Sequence, residues 1–95
     1  MTFHFEWDVH KAAANQRKHG VTFSEAQAVF TDDLAITIPD PDHSMAEDRW
    51  VIIGISKQHR LLVVVYTERS RHIRLISARV ATRVERQNYE EENFD

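Results

Sequence analysis

Three apolar, β-branched segments follow one another at residues 49–56, 61–67 and 73–79, separated only by short polar stretches around Lys57-Gln58-His59-Arg60 and Arg69-Ser70-Arg71. Connections that short cannot cross over a sheet, so these segments must pair as an antiparallel meander. The middle segment, Leu61-Leu62-Val63-Val64-Val65-Tyr66-Thr67, stays apolar to its end, which predicts a strand covered on both faces. It is far too short to span a bilayer. A further segment at 34–38 is apolar, partly β-branched and closed by Pro39, and predicts a fourth strand. Residues 39–44 (Pro39-Asp40-Pro41-Asp42-His43-Ser44) read as a loop.

The first third of the chain has a different period. Asp8 is a good helix N-cap, residues 11–19 are helix-compatible, and Gly20 suits the left-handed position just past a helix end. Thr22-Phe23-Ser24-Glu25 predicts a capping box for a second helix, with Val21 and Ala26 as its apolar staple. Phe23, Ala26, Val29 and Phe30 then give that helix one buried face. Thr82-Arg83-Val84-Glu85 predicts a second capping box and a last helix to about residue 92, whose acidic end opposes the helix dipole and predicts fraying. The expected order is ααββββα: an α+β fold with two N-terminal helices packed on a four-stranded antiparallel sheet and a C-terminal helix. Ninety-five residues suit a single domain over 1–95.

Charge is distributed unevenly. Residues 1–48 carry three basic and nine acidic side chains, whereas residues 49–86 carry nine basic ones against only Glu68 and Glu85. Eight of those nine are Arg, whose planar fork fits phosphate oxygens two at a time. Such a block is either a solvated charged face or a surface for a polyanion, most simply nucleic acid. The chain has no cysteine, which removes disulfides, thiolate metal sites and cysteine nucleophiles. No signal peptide or membrane span is visible, so the expectation is a cytoplasmic protein without membrane contact. Two glycines cannot build a phosphate loop or a dinucleotide fingerprint, and no cofactor is expected.

Asp40, Asp42, His43, Glu47 and Asp48 cluster in sequence, but lack the calcium-loop spacing and its central glycine, and read as a solvated acidic loop. His19 is either a dipole-stabilised helix end or an acid/base near neutral pH. Strand alternation puts Ile73, Leu75, Ser77 and Arg79 on one face, and His72, Arg74, Ile76 and Ala78 on the other. Arg74 and Arg79 can share a ligand only if a bulge or strand end near Ala78 breaks that alternation. Tyr66 either stacks on a base or completes the core.

Phe5-Glu6-Trp7-Asp8, Lys11, Asn15, Lys18-His19-Gly20-Val21, Phe23, Glu25-Ala26 and Val29-Phe30 resemble the opening of the BrnT toxins. Val63-Val64-Val65-Tyr66-Thr67-Glu68-Arg69, Arg74-Leu75-Ile76-Ser77-Ala78-Arg79, Glu85-Arg86 and Tyr89-Glu90 resemble that family's second half. The resemblance implies a RelE-like ribonuclease toxin of a type II toxin–antitoxin pair that inhibits translation. It further implies neutralisation by a BrnA-type ribbon–helix–helix antitoxin, and contact with operator DNA only through the complex that represses the operon. Val80 and Val84 stand where further basic residues are expected, and the turn near Ser70 lacks the expected Gly. On this reading RNA is cleaved without metal, by attack of its own 2′-hydroxyl. His19 with Lys18 moves protons, Arg69 and Arg79 stabilise the growing phosphate charge, and Arg49, Tyr66 and Arg74 hold substrate. Two alternatives stay open: a non-catalytic nucleic-acid- or partner-binding module of a repressor, and a metal-dependent nuclease using the acidic loop.

Overall fold

The computed structural model describes residues 3–43 and 48–94, His43 by its backbone alone. The meander forms as expected: β2 (Ile36–Pro39), β3 (Arg49–Ile55), β4 (Leu61–Arg69) and β5 (His72–Val80) pair antiparallel in chain order. A further strand, β1 (His4–Glu6), lies parallel to β5 at residues His72 to Arg74. The sheet therefore has five strands in the order β1-β5-β4-β3-β2, and the expected four-stranded antiparallel sheet is corrected to a mixed one. Three residues are too few to show a period, and the segment becomes a strand only because β5 offers it an edge. β4 is central, and Leu61, Leu62, Val63 and Val64 on it are all buried, as its apolar run predicts.

Helix α1 (Val9–His19) is capped by Asp8, whose carboxylate accepts from the amides of His10 (2.8 Å) and Lys11 (3.0 Å). Gly20 closes it at φ 68°, a conformation that glycine adopts without a Cβ penalty. Helix α2 (Phe23–Gln27) is one turn shorter than its apolar spacing predicts and passes into a 3-10 turn, Ala28–Thr31. Only half of its capping box forms: Thr22 Oγ accepts from Glu25 N–H. The Glu25 carboxylate turns inward instead, accepting from Ser56 Oγ (2.7 Å) and pairing with the Arg60 guanidinium, which also donates to the Gly20 carbonyl. Arg60, first, and Ser56 hold the Glu25 carboxyl below its usual range against the opposing effect of burial.

α1, α2 and the 3-10 turn cover one sheet face. Val21, Phe23, Ala26 and Val29 meet Ile52, Leu62, Val64, Ile73, Leu75 and Ala78 there. Phe5, Phe30 and Tyr66 continue this core as an edge-on aromatic series with centroids 5.1 and 4.9 Å apart. Helix α3 (Arg83–Phe94) runs past the expected end at about residue 92. Tyr89 Oη donates to Asp32 Oδ2 (2.7 Å), and Asn93 Nδ2 donates to the Leu34 carbonyl (3.1 Å), so the segment predicted to fray is tied to the body of the protein. Its box is complete: Glu85 N–H donates to Thr82 Oγ1, and Thr82 N–H to Glu85 Oε1. Among the described residues, no helix is long and apolar enough to cross a membrane.

Candidate functional site

The sheet face away from α1 and α2 carries Arg49, Arg74 and Arg79 in rows set by strand register. Arg49, Thr67 and Arg74 lie side by side across β3, β4 and β5, with Glu6 of β1 next in line. The next row is apolar, Val51 and Val65 ending at Ser77, and the one beyond holds Ile53, Val63 and Arg79. Arg79 reaches this face because β5 bulges: Val65 pairs with Ser77 but Tyr66 with Leu75, leaving Ile76 as the extra residue. Leu75 therefore stays in the core while Ser77 and Arg79 turn outward. The expected alternation, with Ile73, Leu75, Ser77 and Arg79 sharing a face, holds only up to the bulge. The bulge sits two residues before the position expected.

Arg49 and the two rows beyond it floor a cleft of about 500 Å³, walled by Asp40 and Asp42 on one side and by Glu85 and Asn88 of α3 on the other, whereas Glu6, Thr67 and Arg74 line a neighbouring hollow with Asp48 and Arg69. Arg79 is held in it by a two-pronged ion pair, Nη1 and Nη2 donating to Glu85 Oε1 (2.7 Å) and Oε2 (2.8 Å). Arg79 beside it, helped by the Thr82 amide, draws the Glu85 carboxyl down to about 2, against the upward push of burial. Glu85 thus serves at once as a helix cap and as the anchor of a guanidinium that keeps 39% of its side-chain surface exposed. At the cleft's other end, Arg49 Nε donates to the buried Asp40 (3.0 Å). Asp40 is thereby committed to a cation of the chain itself.

The remaining candidates fall in other places. Lys18 and His19 lie with Lys11 and Asn15 on one face of α1, at i, i+4, i+7 and i+8, and form a groove against Ile76 and Ser77. Ser77 lines both this groove and the Arg79 cleft, so the two meet across one residue of β5. Arg69 is at the hairpin end, pairing with Asp48 (3.2 Å), and Arg74 pairs with Glu6 (3.4 Å). Six residue steps along β4 take the chain from Val63, opposite Arg79, to Arg69, a span of about 20 Å at the usual strand rise. Arg69 and Arg79 are therefore not brought to one phosphate. Tyr66 is 4% exposed, in the core against Phe30, on the face opposite the cleft. Burial, and then the charge of Glu68, push its hydroxyl pKa up.

Lys11 and Asn15 in the groove, and Ser77, Glu85 and Asn88 in the cleft, are lining residues that the sequence pattern did not assign to the site. The spacing of Glu85 from Thr82 was legible as a cap, but its ion pair with Arg79 depends on the bulge. Among the described residues, no three His, Asp or Glu side chains converge as a metal site. Glu47 and the His43 side chain, part of the expected acidic loop, lie outside the described residues.

Comparison with known proteins adds two findings. Residues 7–85 match the family described as "Ribonuclease toxin, BrnT, of type II toxin-antitoxin system". The fold is similar to the 1.1 Å crystal structure of the Brucella abortus ribonuclease toxin BrnT, with a TM-score of 0.67 and 24% identity, covering 86% of this chain and all of that one. No curated protein matches the chain.

Proposed function

The chain belongs to the BrnT family of ribonuclease toxins of type II toxin–antitoxin systems, and from that premise we propose a metal-independent endoribonuclease whose centre is the Arg79 cleft. The observation that carries this reading is Arg79 itself. It is an arginine fixed by a two-pronged carboxylate pair, half-exposed, at the mouth of a cleft wide enough for a nucleotide. A fixed cation needs little reorganisation when charge grows on a phosphate, which is what transition-state stabilisation requires.

In the proposed reaction the 2′-hydroxyl oxygen attacks the adjacent phosphorus, and its proton passes to the His19 imidazole. The bond to the 5′-oxygen breaks, that oxygen takes a proton from solvent water, and a 2′,3′-cyclic phosphate and a 5′-hydroxyl remain. Arg79 meets the charge on the non-bridging oxygens, and Lys18 adds positive charge beside His19. Arg49 and Arg74, in the row about 13 Å along the sheet, take separate phosphates of the same strand. Arg69, farther along, contributes to binding. Tyr66 supports the floor from the core.

The partner on this reading is a BrnA-type ribbon–helix–helix antitoxin, with operator DNA bound only by the complex, and the toxin acts in the cytoplasm by stopping translation. Purified protein incubated with single-stranded RNA in EDTA tests the chemistry. Cyclic or 3′-phosphate ends are expected, and Arg79→Ala should lower the rate by ~10²–10³ with the fold intact. Cleavage lost to EDTA and restored by magnesium would overturn the metal-free mechanism. A folded, fully active Arg79→Ala variant would remove Arg79 from the site.

A further inference from the structure

Asn15 is the only buried residue of α1, and all its hydrogen bonds go to backbone. Its Oδ1 accepts from Ala78 N–H (3.0 Å), and its Nδ2 donates to the carbonyls of Ala78 (2.8 Å) and Val21 (3.0 Å). β1 pairs with β5 only at His72, Ile73 and Arg74, so β5 runs on past the end of its neighbour. At Ala78 the Asn15 carboxamide takes the place of a neighbouring strand residue, offering one acceptor and one donor to the N–H and C=O of a single residue. Ala78 lies between Ser77 and Arg79, immediately after the bulge that turns both outward. Lys11, Lys18 and His19 share the helix face that carries Asn15.

We propose that Asn15 is a positioning residue: its clamp on Ala78 sets the register between the Lys11–Lys18–His19 groove and the Arg79 cleft, so that both act on one phosphodiester. This rests on the ribonuclease reading above, because it assigns the two regions to a single ligand. No other side chain carries a hydrogen bond between α1 and β5 among the described residues. Without it, the outward turn of Ser77 and the seat of the helix become independent. A van der Waals contact would hold the two elements together yet tolerate sliding by a fraction of an ångström. A two-point amide clamp does not, since hydrogen bonds weaken steeply with angle.

The probe is a dinucleotide with a 2′-deoxyribose at the scissile position, which lacks the attacking hydroxyl and can only bind. Binding is followed by NMR at the His19 ring and at Arg79 Nε. In the wild-type chain both signals should shift with a single Kd. In Asn15→Ala they should separate, with at least a tenfold difference between the two apparent Kd values. Cleavage of the matching RNA should lose at least tenfold in kcat per folded molecule. Tyr89→Phe, which breaks the partly buried bond from α3 to Asp32, should lower Tm while keeping the single Kd and kcat. Asn15→Asp is isosteric, keeps an acceptor for Ala78 N–H and loses both donors, and serves the same readings if the alanine variant does not fold. Two different Kd values in the wild-type chain, or a single unchanged Kd with unchanged kcat in a folded Asn15 variant, would overturn the proposal alone. A wild-type chain in which neither signal shifts would overturn the ribonuclease site, and this inference with it.

Discussion

Replacing Glu85 by Gln separates its two tasks. Gln retains a side-chain oxygen for the Thr82 amide, so the capping box survives. What disappears is the charge that holds Arg79. A carboxyl drawn from 4.5 down to about 2 corresponds to about 3 kcal/mol of folded-state preference for the ionised form, at about 1.36 kcal/mol per pH unit. Arg79 keeps 39% of its side chain in water, so screening reduces the expected loss to about 1–2 kcal/mol, or roughly 5–10 °C of Tm for a chain this size.

The pH dependence has a definite sign. A depressed folded pKa means that Glu85 stabilises the fold fully above its unfolded value of 4.5, and that the contribution fades as pH falls towards about 2. Urea unfolding of the wild-type chain and Glu85→Gln should therefore show a gap at pH 7 that narrows steadily between pH 5 and pH 2. Comparing the two proteins cancels the other depressed carboxyls, those of Asp8, Glu25 and Asp32. Equal stabilities at pH 7, or a gap that stays constant into acid, would refute the ion pair as the cause. RNA cleavage on the same samples should fall with the charge, since Arg79 then keeps its cation but loses its seat.

Three further outcomes are expected. Gly54→Ala would push a Cβ to 2.9 Å from Val29 Cγ1 and 3.1 Å from both Ala35 Cβ and Asp32 Oδ2, and should cost about 1–3 kcal/mol in urea unfolding. Glu25→Gln would leave Arg60 without its carboxylate and should lose about 2 kcal/mol, less than for a fully buried pair because Arg60 is 37% exposed; a thermal melt at neutral pH measures it. Arg69→Ala, at a 74%-exposed position away from the cleft, should raise KM and lessen the salt dependence of RNA binding while leaving kcat within about twofold. A kcat loss comparable to that of Arg79→Ala would mean that the two arginines do meet at one phosphate.

Local grammar made much of this fold legible. Asp8 and Gly20 bracket α1, Thr82 and Glu85 start α3, and the short links around residues 57–60 and 69–71 leave the meander no other pairing. The resemblance carried by motifs from Phe5 to Glu90 pointed to the family that residues 7–85 match. The basic block in 49–86 was equally visible, and three of its arginines, Arg49, Arg74 and Arg79, lie on the open sheet face. Each of these signals lies within a few residues of what it controls, so composition and spacing are enough to express it.

Other features depend on partners far apart in the chain. β1 exists because β5, almost seventy residues later, has a free edge, and three residues have no period of their own. Glu25 has the right spacing for a cap, yet abandons it for Arg60, because the fold carries that guanidinium to the C-terminus of α1. Arg69 and Arg79 look alike in sequence but are held about 20 Å apart by the straight run of β4. Strict alternation would bury Arg79 beside Leu75; one extra residue at Ile76 turns it outward to Glu85, and Asn15 closes on Ala78 beside it. Local sequence pattern was enough for α1, α3, the four meander strands and the place where positive charge accumulates. Which arginine is fixed beside the cleft was decided by tertiary structure, because a bulge and an amide clamp arise only when β4, β5 and α1 pack together.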